Sequence, residues 1–244
     1  MKITIGVMGS VSGFNNKAGE LSHQLGHAIA NNDCIIITGA CPGLPHDAVC
    51  GAREAGGMTV GVSPGHNLAE HTIKYNSPWQ EYDVIVYTGS GLMGREITGV
   101  RSCDIVVLVG GRSGTLGEFA IAYDEGKLIG VLQGTGGIAE HVSTLVDVMK
   151  KETGAQIIYD SDPHMLVEKL LKVYRQRGGI LNGLSGPEVK SPEMQQAEDT
   201  AVALEMSISD MVDEVEMLQS RIAEQKIRLI AVKDLAVMGS PERG

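Results

Sequence analysis

Aromatic side chains are scarce in this chain: one tryptophan, two phenylalanines and six tyrosines make up 4% of its 244 residues. A core must therefore be packed with Val, Ile, Leu and Ala. Positive charge is also short, with 20 Lys and Arg against 30 Asp and Glu, a net charge of −10. No basic field is present to release counterions, so neither nucleic acid nor an anionic membrane is expected as a partner. No run approaches the roughly 18 apolar residues of a membrane span. The first residues, Met1 to Met8, read as a strand and not as a signal peptide, so a cytosolic location is expected. The four cysteines, Cys34, Cys41, Cys50 and Cys103, have no CxxC spacing and are expected as free thiols, with Cys41 placed to face a ligand. The seven histidines form no HExxH, and neither a structural metal nor a cofactor is expected. No repeat of 20 to 50 residues is visible, which excludes a solenoid.

What the chain has is apolar content of 43% and 32 glycines. Short apolar runs alternate with helix-periodic segments and end in glycine turns. The strands read as Lys2–Met8, Cys34–Thr38, Met58–Val62, Asp83–Tyr87, Ile105–Val109, Leu128–Leu132 and Gln156–Tyr159. Helices fall between them, including Leu92–Ser102 and a single helix over Ile138–Lys151. The stretch Asn67 to Glu81 reads as a long loop over one end of the sheet. The fold class is therefore α/β, a doubly wound, mostly parallel Rossmann-like sheet of about seven strands over residues 1–176.

One stretch organises the rest. Asp104 to Glu118 runs from a continuous apolar strand through Gly110, Gly111 and Gly114 into a helix. A strand, a glycine turn and a helix N-terminus in that order make an anion site, because the first helical N–H groups and the helix dipole point at it. Glu118 lies one turn into that helix. The alternative reading is a plain strand-to-helix joint, with Glu118 favouring the dipole. Glycine-rich turns also close three other strands, at Gly9–Gly13, Gly39–Gly43 and Gly89–Gly91, and one cleft at the carboxyl ends can collect all four.

Gly-Gly-x-x-Gly-Thr-x-x-Glu after an apolar strand resembles the PGGxGTxxE motif of the Lonely Guy (LOG) family, within the Rossmann-like SLOG nucleotide-binding superfamily. The family's arginine, nine residues before the aspartate that opens the strand, corresponds to Arg95. The likeness extends over roughly residues 1–175. It departs at three points: Val109 stands for the motif proline, Arg112 and Ser113 stand where the family has one residue, and Glu96 replaces a basic residue. The resemblance implies a phosphoribohydrolase, cutting the N-glycosidic bond of a nucleoside 5′-monophosphate. It implies Glu118 as the catalytic carboxylate and Arg95 as its cationic partner. Gly110, Gly111, Ser113, Gly114 and Thr115 would hold the phosphate, with Gly9, Ser10, Gly39 and Gly43 from the neighbouring turns. Arg112 is read as pointing to solvent. The alternative is a non-catalytic carrier or sensor of a nucleotide-like ligand. A dinucleotide oxidoreductase is disfavoured, because the first turn lacks GxGxxG and strand two ends in Thr38-Gly39 without an acid. A decarboxylase has no support, since nothing suggests a pyridoxal phosphate lysine.

After a Gly-, Ser-, Asn- and Pro-rich linker at 177–192, apolar residues step by three and four from Met194 to Ala236. This heptad pattern predicts a long amphipathic helix over 193–238. Lying on its own domain is one reading. The regularity favours a partner helix, and the pairs Glu198–Lys233, Glu205–Lys226 and Glu214–Arg221 favour an antiparallel homodimer or higher homo-oligomer.

Overall fold

The computed structural model describes residues 1–178. The heptad segment 193–238, and the linker beyond residue 178, lie outside the described residues.

Seven strands, β1 (Thr4–Gly9), β2 (Ile35–Thr38), β3 (Thr59–Ser63), β4 (Val84–Tyr87), β5 (Ile105–Val109), β6 (Leu128–Leu132) and β7 (Gln156–Asp160), alternate with helices. The helices are α1 (Asn16–Asn31), α2 (Leu44–Glu54), α3 (Gly91–Arg101), α4 (Ser113–Asp124), α5 (Val142–Met149) and α6 (Pro163–Gln176). The strand order is β4-β3-β2-β1-β5-β6-β7, and every neighbouring pair is parallel. The chain builds outward from β1 to β4, then returns to lay β5 against the other side of β1. This reversal opens a crevice at the carboxyl ends of β1 and β5.

Alternation along the strands divides the core. Ile5, Val7, Ile36, Ile105, Val107 and Val109 face α1, α2 and α6. Met8, Ile37, Val106, Leu108, Ile129 and Val131 face α3, α4 and α5. All five residues of β5 are buried, as the apolar run predicts for a strand covered on both faces. Each fully buried Ile or Leu there contributes about 1.5–3 kcal/mol. Asn15 caps α1 by accepting the Ala18 N–H, and Asp162 caps α6 by accepting those of His164 and Met165.

Two segments differ from the sequence reading. The helix expected over Ile138–Lys151 is divided into a 3-10 turn, Gly137–His141, and α5. The Ile138 and Ala139 N–H groups donate to Gly111 and Gly110 carbonyls, which pulls this turn onto the end of β5. The loop at 67–81 contains a π-helical turn, Glu70–Lys74. Its buried His71 lies 2.9 Å from both Ser63 Oγ and the Pro78 carbonyl, tying the loop to β3.

No described helix is long and apolar enough to cross a membrane.

Candidate functional site

The crevice between β1 and β5 is a cleft of about 370 Å³. Its lining includes Gly9 and Ser10 after β1, Gly39 and Cys41 after β2, Arg95 and Glu96 on α3, and Ser113, Gly114, Thr115 and Glu118 on α4. Eight of the sequence-selected residues thus meet in one place. Gly43, Gly110 and Gly111 are not among its lining residues.

Arg95 and Glu118 face each other, with Nη1 and Oε1 3.8 Å apart. Both side chains are more than nine-tenths buried. The separation is too long for a hydrogen bond. Arg95 Nε has no hydrogen-bond partner among the described residues. Gly39 makes room for this guanidinium: a Cβ there would sit 1.5 Å from Arg95 Nη1. Any side chain at position 39 would therefore displace the cation.

Burial pushes the Glu118 carboxyl up to about 7, against the pull of Arg95, and Glu96 adds to the rise. The Glu96 carboxyl is also raised by burial, with Arg95 opposing. It lies against the start of α4, where a Cβ on Gly114 would meet its Oε1 at 3.3 Å and one on Gly117 its Oε2 at 3.1 Å. Burial likewise raises the Cys41 thiol, only partly offset by Arg95. Cys41 lines the cleft as a neutral thiol, not as a nucleophilic thiolate.

The glycine turn works differently from a bare phosphate loop. The Gly110 N–H donates to Thr135 Oγ1 at 2.8 Å, and the Gly111 N–H to Ser10 Oγ at 2.6 Å. Their positive φ values, +61° and +105°, shape the bend that allows this. These two amides anchor the turn and are not free to hold an anion. The donors left facing the cleft are those of the first turn of α4. That turn has no side-chain cap, and its N-cap residue is Arg112. Arg112 is exposed and its guanidinium donates to Ser12 Oγ, but it also lines the cleft, so it does not simply point to solvent. Sequence reasoning missed Thr135, whose hydroxyl also donates to Leu132 O at 2.6 Å. The signal was the Gly-Thr-Gly-Gly turn after β6.

A second compartment of about 400 Å³ adjoins the first and shares Val11, Gly39, Cys41, Leu92 and Arg95 with it. Its far wall is the 67–81 loop, with Lys74 and Tyr75. Arg95 thus borders both compartments.

Residues 2–167 match the model of the SLOG cluster 4 family. The chain belongs to that family. Solved structures agree. TM1055, a structural genomics target, is similar with a TM-score of 0.60 and 26% identity, covering 72% of this chain and 99% of that one. The molybdenum cofactor binding protein of the phototrophic bacterium Rippkaea orientalis follows at 0.58 and 25%, covering 71% and 98%. The Moco carrier protein of Chlamydomonas reinhardtii gives 0.58 and 29%, covering 71% and 99%.

One expectation does not stand, the exclusion of nucleic acid on net charge. Net charge does not exclude nucleic acid as a partner. DNA processing protein A of Helicobacter pylori, described for its single-stranded DNA binding mode, shares the fold at a TM-score of 0.47 and 19% identity, covering 70% and 81%. Likeness at that level is one of fold alone. The physical reason for the correction is that charges beyond about 8 Å are screened, so the sum over a whole chain says little about one cleft.

Proposed function

We propose that this SLOG protein binds a phosphorylated, nucleotide-like small molecule across the two compartments and holds or carries it. One observation carries the reading: a buried Arg95 guanidinium whose Nε is unpartnered, beside the uncapped first turn of α4. A buried charge without full pairing costs several kcal/mol, and a bound anion offsets that cost. Phosphate at Arg95 and the amides of Ser113 to Thr115 would leave the organic part of the ligand for the compartment lined by Leu92, Cys41 and Tyr75. The relatives that bind or carry the molybdenum cofactor align over nearly their whole length. They make that cofactor the first ligand to try, beside the nucleoside monophosphates.

The test is equilibrium binding of both ligand classes to the full chain and to Arg95→Met. Loss of binding in the variant, with an unchanged unfolding midpoint, is the expected result. Equal affinity in the two proteins would remove Arg95 from the site and the reading with it.

A second reading is supported by Glu118. A carboxyl titrating near neutral pH suits proton transfer. N-glycosidic cleavage needs such a group beside the anomeric carbon, to orient water and stabilise the cationic sugar as the base departs. Incubation with nucleoside monophosphates should then release free base, and Glu118→Gln should abolish release while leaving binding nearly intact. Binding without release decides for the carrier.

A further inference from the structure

On the outer face of α1 and α2, away from the cleft lining, three metal-ligating side chains converge. His23 and His27 are four residues apart on α1, so both imidazoles project from one side of the helix. Glu54, the last residue of α2, reaches across to both. Its Oε2 lies 3.2 Å from His23 Nε2 and 3.4 Å from His27 Nε2. All three ligand atoms lie within 4.8 Å of one another.

Those separations serve as hydrogen bonds or ion pairs from the two imidazoles to Glu54, and they also suit a shared ligand. A charge-assisted N–H···O bond is shorter, at about 2.7–2.9 Å. The edge of a tetrahedron whose ligands stand about 2.0–2.1 Å from a central zinc is about 3.3 Å. One carboxylate oxygen at 3.2 and 3.4 Å from two imidazole nitrogens matches that edge and is compatible with three ligands around a shared centre. The two backbones behind the site touch directly. A Cβ on Gly51 would sit 2.0 Å from His23 O, and one on Gly26 would sit 1.8 Å from Ala48 O. The helices that supply the ligands are therefore fixed against each other, and only exposed side chains need move to close the set. The imidazoles are about one-third exposed and Glu54 more so, which leaves the fourth position open to water.

We propose that His23, His27 and Glu54 form a surface site for a divalent first-row transition metal, with zinc the best match, that clasps α1 to α2. Two imidazoles and one carboxylate suit zinc, nickel or copper and give magnesium and calcium, which prefer all-oxygen sites, little to hold. The spacing of 23 and 27 was passed over in the sequence, where the absence of HExxH led to the expectation of no metal. The third ligand, 27 residues further on, is visible only once α2 is docked.

The full chain, stripped of metal by chelator, is titrated with zinc chloride and, separately, with cobalt(II) chloride. Every histidine and cysteine of the chain falls within residues 1–178, so competing sites are known. Expected is one zinc per chain, a rise in the thermal midpoint with zinc, and a cobalt spectrum of tetrahedral type without thiolate charge-transfer bands. His23→Ala and His27→Ala should each lose the zinc and the rise, and Glu54→Gln should weaken binding. The metal-free unfolding midpoint serves as the folding control. Absence of stoichiometric binding, binding unchanged in the His23→Ala/His27→Ala double variant, or thiolate bands would each overturn the proposal.

Discussion

The two ends of the sheet treat charge in opposite ways. At the amino ends, the same clip occurs twice. Asp104, ahead of β5, accepts from the Thr4 N–H at 2.8 Å and the Thr4 hydroxyl at 2.9 Å, while its own N–H donates back to Thr4 Oγ1 at 3.0 Å. Asp83, ahead of β4, does the same with Thr59, at 2.9, 3.2 and 3.0 Å. Tyr174 completes the first clip and Arg53 the second. Burial alone would raise the Asp83 carboxyl, yet its hydrogen bonds hold it below its ordinary value. At the carboxyl ends, Arg95 Nε is unpaired, Glu118 is pushed up to about 7, and the α4 amides are uncapped. The amino end is satisfied internally, so its charges serve stability. The carboxyl end is left incomplete, and this supports the proposed ligand site there.

Exchanging the two behaviours by mutation gives the largest effects. On the proposed function, Arg95→Met removes the principal charged partner of a bound phosphate. Affinity should fall about a hundredfold, the equivalent of about 3 kcal/mol for hydrogen bonds to a charged group. Stability should hold or rise, because a poorly paired buried cation is gone. Asp104→Ala should do the reverse. It leaves the Thr4 N–H and the Tyr174 hydroxyl without their acceptor, while the Thr4 hydroxyl keeps the Ser102 carbonyl, at a cost of about 2–3 kcal/mol in urea unfolding, with ligand affinity unchanged. A ligand-binding defect in Asp104→Ala equal to that of Arg95→Met would break the contrast between the ends.

How much of this was legible in the sequence depends on the range of the forces involved. Ile105–Val109 could be read because a strand buried on both faces must be apolar throughout. Arg95 and Glu118 could be read because their spacing from the strand matches a known motif. The roles of Ser10, Gly110 and Gly111 could not. Whether an amide in a glycine turn faces a ligand or a hydroxyl depends on Ser10 and Thr135, which approach from other strands. The division of 138–151 has the same origin: its periodicity is helical, but bonds to the β5 turn claim the first residues.

The pH dependence of Glu118 sharpens the comparison further. The folded carboxyl titrates at about 7, above the ordinary value of 4.5 that the unfolded chain retains. Its contribution to stability is full below pH 4.5 and is lost as pH rises through 7. Glu118→Gln cannot titrate. The stability of the variant relative to the parent should therefore improve between pH 5 and pH 8, in urea unfolding at the two values. A phosphate ligand should also bind the parent less well as Glu118 ionises above pH 7, and the variant should lose that dependence. Parallel pH profiles for the two proteins would mean that Glu118 is already ionised in the folded state.

The smallest effect is expected behind the site, at Thr135. Its hydroxyl donates to Leu132 O and accepts from the Gly110 N–H, so it links the ends of β6 and β5 through one oxygen. Thr135→Val keeps the shape and removes both bonds, leaving a buried amide N–H without an acceptor. The cost should be about 1–2 kcal/mol. The Gly110–Gly111 turn loses one of its two hydroxyl anchors, and the first turn of α4 follows it. Ligand affinity should drop by a few-fold, much less than in Arg95→Met, because no direct contact is removed. Thr135→Ser retains the hydroxyl and should restore both properties most of the way. Urea unfolding and ligand titration of the two variants side by side make the check. If Val keeps both properties and Ser loses them, the methyl and not the hydroxyl is what position 135 supplies, and the turn is held by Ser10 and the Ile138 and Ala139 amides.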